Sequence, residues 1–156
     1  MTTGAGNRLF VDTSVLVYAN IIEAPLHKKA VRAIAAHRRA GAELWLSYQI
    51  LREFLATVTR PQSYAGPPPL DTMIKRVQRF QRIFRVVNDG PGVTARLLAL
   101  IQQVPVGGKQ IHDANIVATM LEYGITYLLT HNTGDFTRYG AWITVVPLES
   151  GIPAEQ

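Results

Sequence analysis

The sequence predicts an α/β fold, a three-layer α/β/α sandwich around a mostly parallel, five-stranded sheet. Strand-like segments alternate with helical ones, which is the pattern of a parallel sheet covered on both faces. The strand segments are continuously apolar, as expected of strands buried on both sides. The length of 156 residues suits one core, so we expect a single domain over residues 1–156 with its core at about 8–148.

Five segments have the composition of buried strands. The first, residues 8–12, is a run of apolar β-branched and aromatic side chains that closes on Asp12. The other four lie at residues 43–47, 85–88, 127–130 and 142–146. Parallel strands need long crossover connections, so we expect the intervening helices on the faces of the sheet.

The first half of the chain contains three helical segments. One begins near Ser14, directly after the first strand. The second, residues 25–40, has a proline in its first turn and is stopped by Gly41. The third, residues 48–59, places its apolar side chains on one helical face and ends before Pro61.

The second half continues the alternation after a proline-rich segment. Residues 61–70 contain a Gly-Pro-Pro-Pro run and are expected to form a loop. Helical spacing resumes over residues 70–84 and again over 91–104 and 111–123, where Gly124 is the natural stop. A short helix is expected before the last strand.

Composition excludes several classes of protein. No apolar run approaches the roughly 18–20 residues of a membrane span, and the first apolar stretch, residues 9–22, is interrupted by Asp12 and Asn20. The N-terminus does not resemble a signal peptide, so we expect a cytoplasmic location. The chain has no cysteine, which excludes disulfides, a thiolate metal site and a cysteine nucleophile.

The charge balance favours an anionic partner. Sixteen Lys and Arg residues face eleven Asp and Glu residues, for a net charge of +5, and twelve of the sixteen cations are arginine. Arginine is the side chain best suited to forked contacts with phosphate. Nucleic acid is therefore a plausible partner, although net charge alone does not establish a function.

Four acidic residues are candidates for catalysis. Asp12 closes the first strand and Asp135 follows the fourth strand by a few residues of loop. The carboxyl ends of parallel strands meet at one edge of the sheet, which is where functional sites lie in such folds. Glu53 follows the second strand in a helix, and Asp113 lies on the apolar face of another helix. A carboxylate in that position needs a partner.

Each acid also has a purely structural explanation. Asp12 is placed to cap the helix that follows it, and capping and function explain it equally well. Asp113 suits the positive end of its helix. Glu53 suits a solvated surface shared with nearby cations, and Asp135 suits a turn or a cap. Taken singly, none of the four residues establishes a site.

Together the four acids indicate a divalent cation. Carboxylates from distant parts of the chain that meet at one sheet edge repel one another unless a cation neutralises them. Mg²⁺ and Mn²⁺ take oxygen ligands and often need only one or two direct carboxylates. A pair of such ions clamps the attacking and leaving oxygens in a phosphoryl displacement. Arginines outside the acidic pocket would then hold the rest of a nucleic-acid backbone.

Two arginines and two histidines lie close to these acids in the chain. Arg52 and Arg60 flank Glu53 and are candidate substrate contacts. His112 directly precedes Asp113, and His131 lies in the loop before Asp135. Either histidine is placed to touch substrate, but local hydrogen bonding is the commoner role.

A dinucleotide-binding pattern also needs an explanation. Residues 90–95, GPGVTA, match the glycine fingerprint after a strand, and Asp113 follows at a suitable distance. The acid of that fingerprint ends the next strand, however, whereas Asp113 falls in a helical pattern. Pro91 as a first-turn residue and Gly90 as a turn residue explain the match more simply.

Four short motifs occur in order along the chain. They are FVDTSVL at 10–16, LREFL at 51–55, HDANI at 112–116 and THNTGDF at 130–136. These motifs resemble those of PIN-domain ribonucleases, particularly VapC-type toxins, and the resemblance covers roughly residues 8–148.

The resemblance implies a three-layer α/β/α fold and an endoribonuclease that depends on Mg²⁺ or Mn²⁺. It assigns an acidic quartet, made of Asp12, Glu53, Asp113 and Asp135. It also assigns accessory polar positions that steady water at the metal, namely Ser14, Thr130 and Asn132. A cognate antitoxin and a homodimer are the implied partners. The proline-rich segment 62–70 departs from the expected pattern because it is longer.

The resulting hypothesis is a ribonuclease in which Asp12 and Asp113 bind the principal metal ion. Glu53 and Asp135 would bind a second ion or orient the attacking water. One alternative is a non-catalytic RNA-binding module on the same fold, which an intact set of acids disfavours because carboxylates repel phosphate. The other is a phosphatase-type α/β hydrolase that uses Asp12 as its nucleophile.

Overall fold

A computed structural model describes residues 7–149. Its five strands form one sheet in which every neighbouring pair is parallel, in the order β3-β2-β1-β4-β5. The predicted fold class is confirmed. The strands are β1 (Arg8–Val11), β2 (Glu43–Ser47), β3 (Arg85–Val87), β4 (Tyr127–Leu129) and β5 (Thr144–Val146).

Helices cover both faces of the sheet. Right-handed crossovers in this strand order place the first four helices on one face and the last three on the other. The helices are α1 (Thr13–Asn20), α2 (His27–Arg39), α3 (Tyr48–Val58), α4 (Leu70–Ile83), α5 (Pro91–Gln103), α6 (Gln110–Glu122) and the short α7 (Thr133–Phe136). A single 3₁₀ turn, Thr137–Tyr139, follows α7. No helix within residues 7–149 is long and apolar enough to span a membrane.

Element boundaries differ from the predicted ones where a turn takes the backbone hydrogen bonds. The last strand was expected from residue 142 but begins at Thr144, because the Trp142 and Ile143 amides both donate to the Tyr139 carbonyl. The second helix was expected from residue 25 but begins at His27, whose amide still donates to the Ala24 carbonyl in a preceding turn. Apolar periodicity does not report these local turns.

The core lies between the sheet and its helices. All three apolar residues of β1 are buried, which is the two-sided burial that a continuously apolar strand predicts. On one face, Phe54 of α3 meets Phe80 of α4 edge-on at 5.1 Å between ring centroids, and Phe80 meets Phe84 at 5.8 Å. These aromatic contacts join the two helices that the proline-rich loop connects.

The strand order decides where functional groups meet. Because β1 is central and pairs with both β2 and β4, the segments that follow these three strands emerge side by side at one edge. Asp12 follows β1, and its amide donates to the Leu129 carbonyl of β4 at 2.9 Å. Ser47 ends β2 and caps α3 by accepting from the Ile50 amide.

Candidate active site

A cavity of about 420 Å³ opens at the carboxyl edge of the sheet. Three of the four predicted acids, Asp12, Glu53 and Asp113, lie in its wall. Ser14 and Asn132, two of the predicted accessory residues, line it as well. The cavity therefore brings together residues from α1, α3, α6 and the segment after β4.

Asp12 is the buried acid of the group, with 5% of its surface exposed. Its Oδ2 atom accepts hydrogen bonds from Ser14 Oγ at 3.0 Å and Thr130 Oγ1 at 2.7 Å. Burial raises the pKa of Asp12 above the ordinary 3.8, and the two hydroxyl donors oppose that rise. Asp12 occupies the cap position of α1, but its side chain makes no capping hydrogen bond. Capping therefore does not explain this residue.

The two hydroxyl groups that donate to Asp12 each accept a hydrogen bond from a backbone amide. Ser14 Oγ accepts from the His131 amide at 3.2 Å, and Thr130 Oγ1 accepts from the Asn132 amide at 3.0 Å. A hydroxyl that already accepts a hydrogen bond has its proton free for the carboxylate. The chain just after β4 thus orients both hydroxyls toward Asp12.

Glu53 is held by neutral donors from two different elements. Thr13 Oγ1 donates to its Oε2 at 2.6 Å, and Gln49 Nε2 donates to its Oε1 at 3.0 Å. Gln49 is buried and also donates to the His112 carbonyl, which ties α3 to α6. Asn115 Nδ2 donates to Gln49 Oε1 at 2.8 Å and fixes the orientation of that amide. No cation pairs with Glu53 among the described residues, so a surface ion pair does not explain it.

Asp113 shows that the four acids share one electrostatic environment. It lies half-buried in the first turn of α6. Burial, followed by repulsion from Asp12, Asp135 and Glu53, raises its pKa to about 6. Its carboxylate has no hydrogen-bond or ion-pair partner within residues 7–149. The positive end of a helix would lower its pKa, so helix stabilisation alone does not account for this group.

Asp135 lies at the margin of the site. It is exposed on the short helix α7 and does not line the cavity. Its backbone amide donates to the Asn132 carbonyl at 3.1 Å. The structure thus separates Asp135 from the other three acids in position, while its charge still acts on Asp113.

The residues suit a hard divalent cation in their chemistry. No three acidic or histidine side chains in the described part of the chain stand close enough to enclose an ion on their own. Mg²⁺ keeps several waters and needs only one or two direct carboxylates, and Asp12 and Asp113 face one cavity. Within residues 7–149 none of the four acids has a lysine or arginine partner. Unneutralised oxygen donors of this kind fit such an ion.

The two candidate arginines have different positions. Arg60 lines the cavity, and its Nε donates to the Ala56 carbonyl at 3.1 Å, which lays the side chain along the end of α3. Arg52 lies outside the cavity, with its Nη2 3.8 Å from Asp89 Oδ2. Only Arg60 shares the cavity with the acids.

The two histidines have local contacts. The ring of His131 meets the edge of Tyr18 at 5.4 Å between centroids, and the His112 carbonyl accepts from Gln49. The glycine pattern at residues 90–95 opens α5, and Asp113 lies inside α6 instead of ending a strand. Asp113 therefore does not take the strand-end position that the acid of the dinucleotide fingerprint occupies.

Some site residues had no strong signal in the sequence. Thr13 had no signal of its own, because its contact with Glu53 spans forty positions of chain. Gln49 lies one helical turn before Glu53, which is the signal that could have identified it. Tyr18 and Tyr64 also line the cavity. The position of Tyr64 depends on how the proline-rich loop folds, which periodicity does not report.

The protein is an α/β/α domain with an acidic cleft at the carboxyl edge of a five-stranded parallel sheet, whose strand order is 3-2-1-4-5. A family model for the PIN domain matches residues 9–141, so this chain belongs to the PIN domain family. The resemblance drawn from the four motifs is confirmed.

Relatives of this chain include ribonuclease VapC48 of Mycobacterium tuberculosis. It is 24% identical over 130 residues, which span 82% of this chain and 89% of the relative. The structure of M. tuberculosis VapC20, described as a sarcin-ricin loop cleaving toxin, superposes with a TM-score of 0.63 at 16% identity, covering 87% of this chain and 96% of that one.

A toxin–antitoxin complex from Klebsiella pneumoniae also has this fold. It superposes with a TM-score of 0.61 at 20% identity, covering 90% of this chain and 97% of the matched chain. At these identities the structural matches establish the fold.

Proposed function

We propose that this protein is an endoribonuclease that depends on Mg²⁺ or Mn²⁺ and acts as the toxin of a toxin–antitoxin pair. The observation that carries the proposal is the acid cluster. Four carboxylates from four segments act on one another at the carboxyl edge of the sheet, and within residues 7–149 no lysine or arginine forms an ion pair with any of them. Membership of the PIN family and the similarity to ribonuclease VapC48 support the same reading.

Each acid has a proposed role. Asp12 and Asp113, which face the same cavity, would hold the principal ion. Glu53 and Asp135 would hold a second ion or orient the attacking water. When bound, the ion supplies Lewis-acid stabilisation of the charge that develops on the scissile phosphate. Ser14 and Thr130 hold the Asp12 carboxylate in one orientation, and Asn132 offers a polar side chain at the cavity wall.

Glu53 is oriented by the chain itself. Thr13 and Gln49 each donate to a different oxygen of its carboxylate, which restricts rotation of the side chain. Arg60 brings a positive charge to the wall of the same cavity, where it would contact a phosphate next to the scissile one. Arg52, paired with Asp89 outside the cavity, is a weaker candidate for substrate contact.

Two alternatives make different predictions. A non-catalytic RNA-binding module has no use for an unneutralised acid cluster, because those charges repel phosphate. A phosphatase would use Asp12 as a nucleophile, yet Oδ2 of Asp12 is engaged by two hydroxyl groups and the residue is buried. Detection of a covalent phosphate on Asp12 would support the phosphatase hypothesis.

An antitoxin is the proposed protein partner. The Klebsiella pneumoniae neighbour is itself part of a toxin–antitoxin complex. In this chain an apolar groove of about 400 Å³ lies between α1, α2 and α4. Its lining includes Val31 and Ile83, which are exposed, and three arginines, Arg38, Arg76 and Arg79. We propose that an amphipathic, acidic segment of the antitoxin occupies it. The homodimer and the cytoplasmic location expected from the sequence remain predictions.

The test of the nuclease is cleavage of a total-RNA pool by purified protein in EDTA, Mg²⁺ or Mn²⁺. We expect cleavage with either metal, none in EDTA, and none by the Asp12→Asn variant. Asp71→Asn is the matched control, because Asp71 is an exposed acid on α4 away from the cavity. Full metal-dependent cleavage by Asp12→Asn or Asp113→Asn would show that these residues are wrongly assigned.

The toxin role needs a separate test. Induced expression is expected to arrest growth, and Asp12→Asn is expected to relieve the arrest. If the purified protein cleaves RNA while induced expression leaves growth unaffected, the toxin role is refuted and the nuclease stands.

A further inference from the structure

A second cavity, along the proline-rich loop, adjoins the cavity at the acid cluster. The second cavity, of about 290 Å³, lies between the end of α1 and this loop. Tyr64 lines both cavities. The two cavities, called the groove below, therefore adjoin at Tyr64, and the second is also lined by Ile22, which is highly exposed.

The loop that carries Tyr64 is fixed to the body of the protein. The Gln62 amide donates to the Ala65 carbonyl at 2.9 Å, which closes a turn around Tyr64. The Gln62 side-chain amide donates to the Thr57 carbonyl at 2.9 Å and anchors the turn on the end of α3. Four prolines, at positions 61, 67, 68 and 69, restrict the rest of the loop. The backbone that carries Tyr64 is therefore positioned before any ligand binds.

The groove combines aromatic rings with positive charge. Tyr18 and Tyr64 are both half-buried in the wall of the first cavity, which Arg60 also lines. Arg76 lines the second cavity and donates to the Asn20 carbonyl. Aromatic side chains alternating with basic ones bind unpaired nucleotides, because bases stack on the rings while the cations contact the backbone.

We propose that the proline-rich loop forms a nucleotide-binding subsite in which Tyr64 stacks on an unpaired base flanking the scissile phosphate. Tyr18 forms the opposite side of this subsite, and Arg60 contacts the adjoining phosphate. The substrate is therefore single-stranded at this position, since a base inside a duplex is covered by its neighbours. This inference rests on the proposed function, because the acid cluster defines where the scissile phosphate lies.

Binding, measured without cleavage, tests the subsite. The protein carries Asp12→Asn so that RNA stays intact, and Mg²⁺ is present throughout. The probe is a fluorescein-labelled single-stranded oligoribonucleotide of mixed sequence, about 12 nucleotides long, and its duplex form is compared with it by fluorescence anisotropy. Tyr64→Ala is expected to raise Kd for the single strand about tenfold, the loss of one stacked base. Tyr64→Phe keeps the ring and is expected to stay within about twofold.

The matched control is Tyr127→Ala. Tyr127 is an exposed tyrosine that begins β4 at the opposite edge of the sheet, so its removal is expected to leave Kd unchanged. Tyr64→Leu keeps apolar bulk without the aromatic face and replaces Tyr64→Ala should that variant fail to fold. The salt dependence of Kd distinguishes the phosphate contact of Arg60 from the stacking contact of Tyr64. Arg60→Gln is expected to lower the slope of log Kd against log salt by about 0.7, because it removes one phosphate contact. Tyr64→Ala is expected to leave that slope unchanged.

The subsite is refuted if Tyr64→Ala and Tyr64→Leu bind the single strand as tightly as the parent, or if Tyr127→Ala weakens binding equally. Failure to bind the single strand, or equal affinity for the duplex, also refutes it. Cleavage by the wild-type protein is assayed in parallel. Cleavage with no effect of Tyr64 leaves the nuclease standing and refutes the subsite. Tyr64-dependent binding without cleavage shows that Tyr64 contacts RNA, but it refutes both the nuclease and the place of this contact beside a scissile phosphate.

Discussion

Removing the Thr130 hydroxyl is expected to destabilise the protein in a way that depends on the charge of Asp12. Thr130 is fully buried, donates to Asp12 Oδ2 at 2.7 Å and accepts from the Asn132 amide. Thr130→Val preserves the shape of the side chain but removes both hydrogen bonds. A hydrogen bond to a charged group contributes about 1.5–3 kcal/mol. We therefore expect the metal-free variant to lose about 2 kcal/mol near neutral pH, which lowers Tm by about 4–8 °C.

The effect of pH on this loss follows from the direction of the Asp12 pKa. Burial raises that pKa above 3.8, so the folded state holds the proton more tightly than the unfolded chain does. Wild-type stability in EDTA is expected to fall as pH rises from the unfolded-state value through the folded-state pKa. Without the Thr130 donor the folded-state pKa of Asp12 rises further. The difference between Thr130→Val and wild type is thus largest at neutral pH and shrinks in acid, where Asp12 is protonated in both proteins.

The assay is urea unfolding in EDTA, followed by tryptophan fluorescence at neutral pH and in progressively more acidic buffers. Thr130→Ser is the control, because it retains the hydroxyl and loses only a buried methyl group. Its cost of about 1 kcal/mol is expected to be the same at every pH. A Thr130→Val loss that does not change with pH, or that equals the Thr130→Ser loss, would refute the role given to this hydrogen bond.

Three further predictions concern the metal, the orientation of Glu53 and a glycine. Mg²⁺ is expected to raise the Tm of the wild type, and scanning calorimetry should show a clearly smaller rise for Asp113→Asn; an equal rise would place the ion elsewhere. Gln49→Leu is expected to lower kcat about 10–100-fold, because it releases the Glu53 carboxylate while circular dichroism shows an intact fold; unchanged kcat would contradict that role. Gly124→Ala is expected to cost about 1 kcal/mol in urea unfolding without changing activity, since Gly124 has φ of +67°.

Local patterns account for most of the fold prediction. All five strands and the proline-rich loop were predicted, because two-sided burial of a parallel strand and the restrictions of proline both act on neighbouring residues. The boundaries were less accurate at residues 25 and 142. At both places a turn, held by carbonyl groups of Ala24 and Tyr139, competes with the regular element. Such competition depends on backbone geometry and leaves no mark in apolar spacing.

The residues of the candidate site were also predicted only in part. The positions of Asp12 and Asp113 were predicted from a strand end and from a carboxylate on an apolar helical face, which are both local signals. The sequence did not distinguish Arg60, inside the cavity, from Arg52, outside it, nor did it show that Asp135 stands off the cavity wall.

What the sequence determined by itself is the class of fold and the order of its elements, and it supplied the four acids as candidates for the site. Only the tertiary structure decided which groups donate hydrogen bonds to those acids. Thr13 donates to Glu53 from forty positions away in the chain, and Thr130 donates to Asp12 from 118 positions away. The same is true of Tyr64, whose place beside the acids depends on the anchoring of its loop to α3. Residue patterns report interactions within a few positions along the chain, whereas these contacts exist only after the sheet has brought distant segments together.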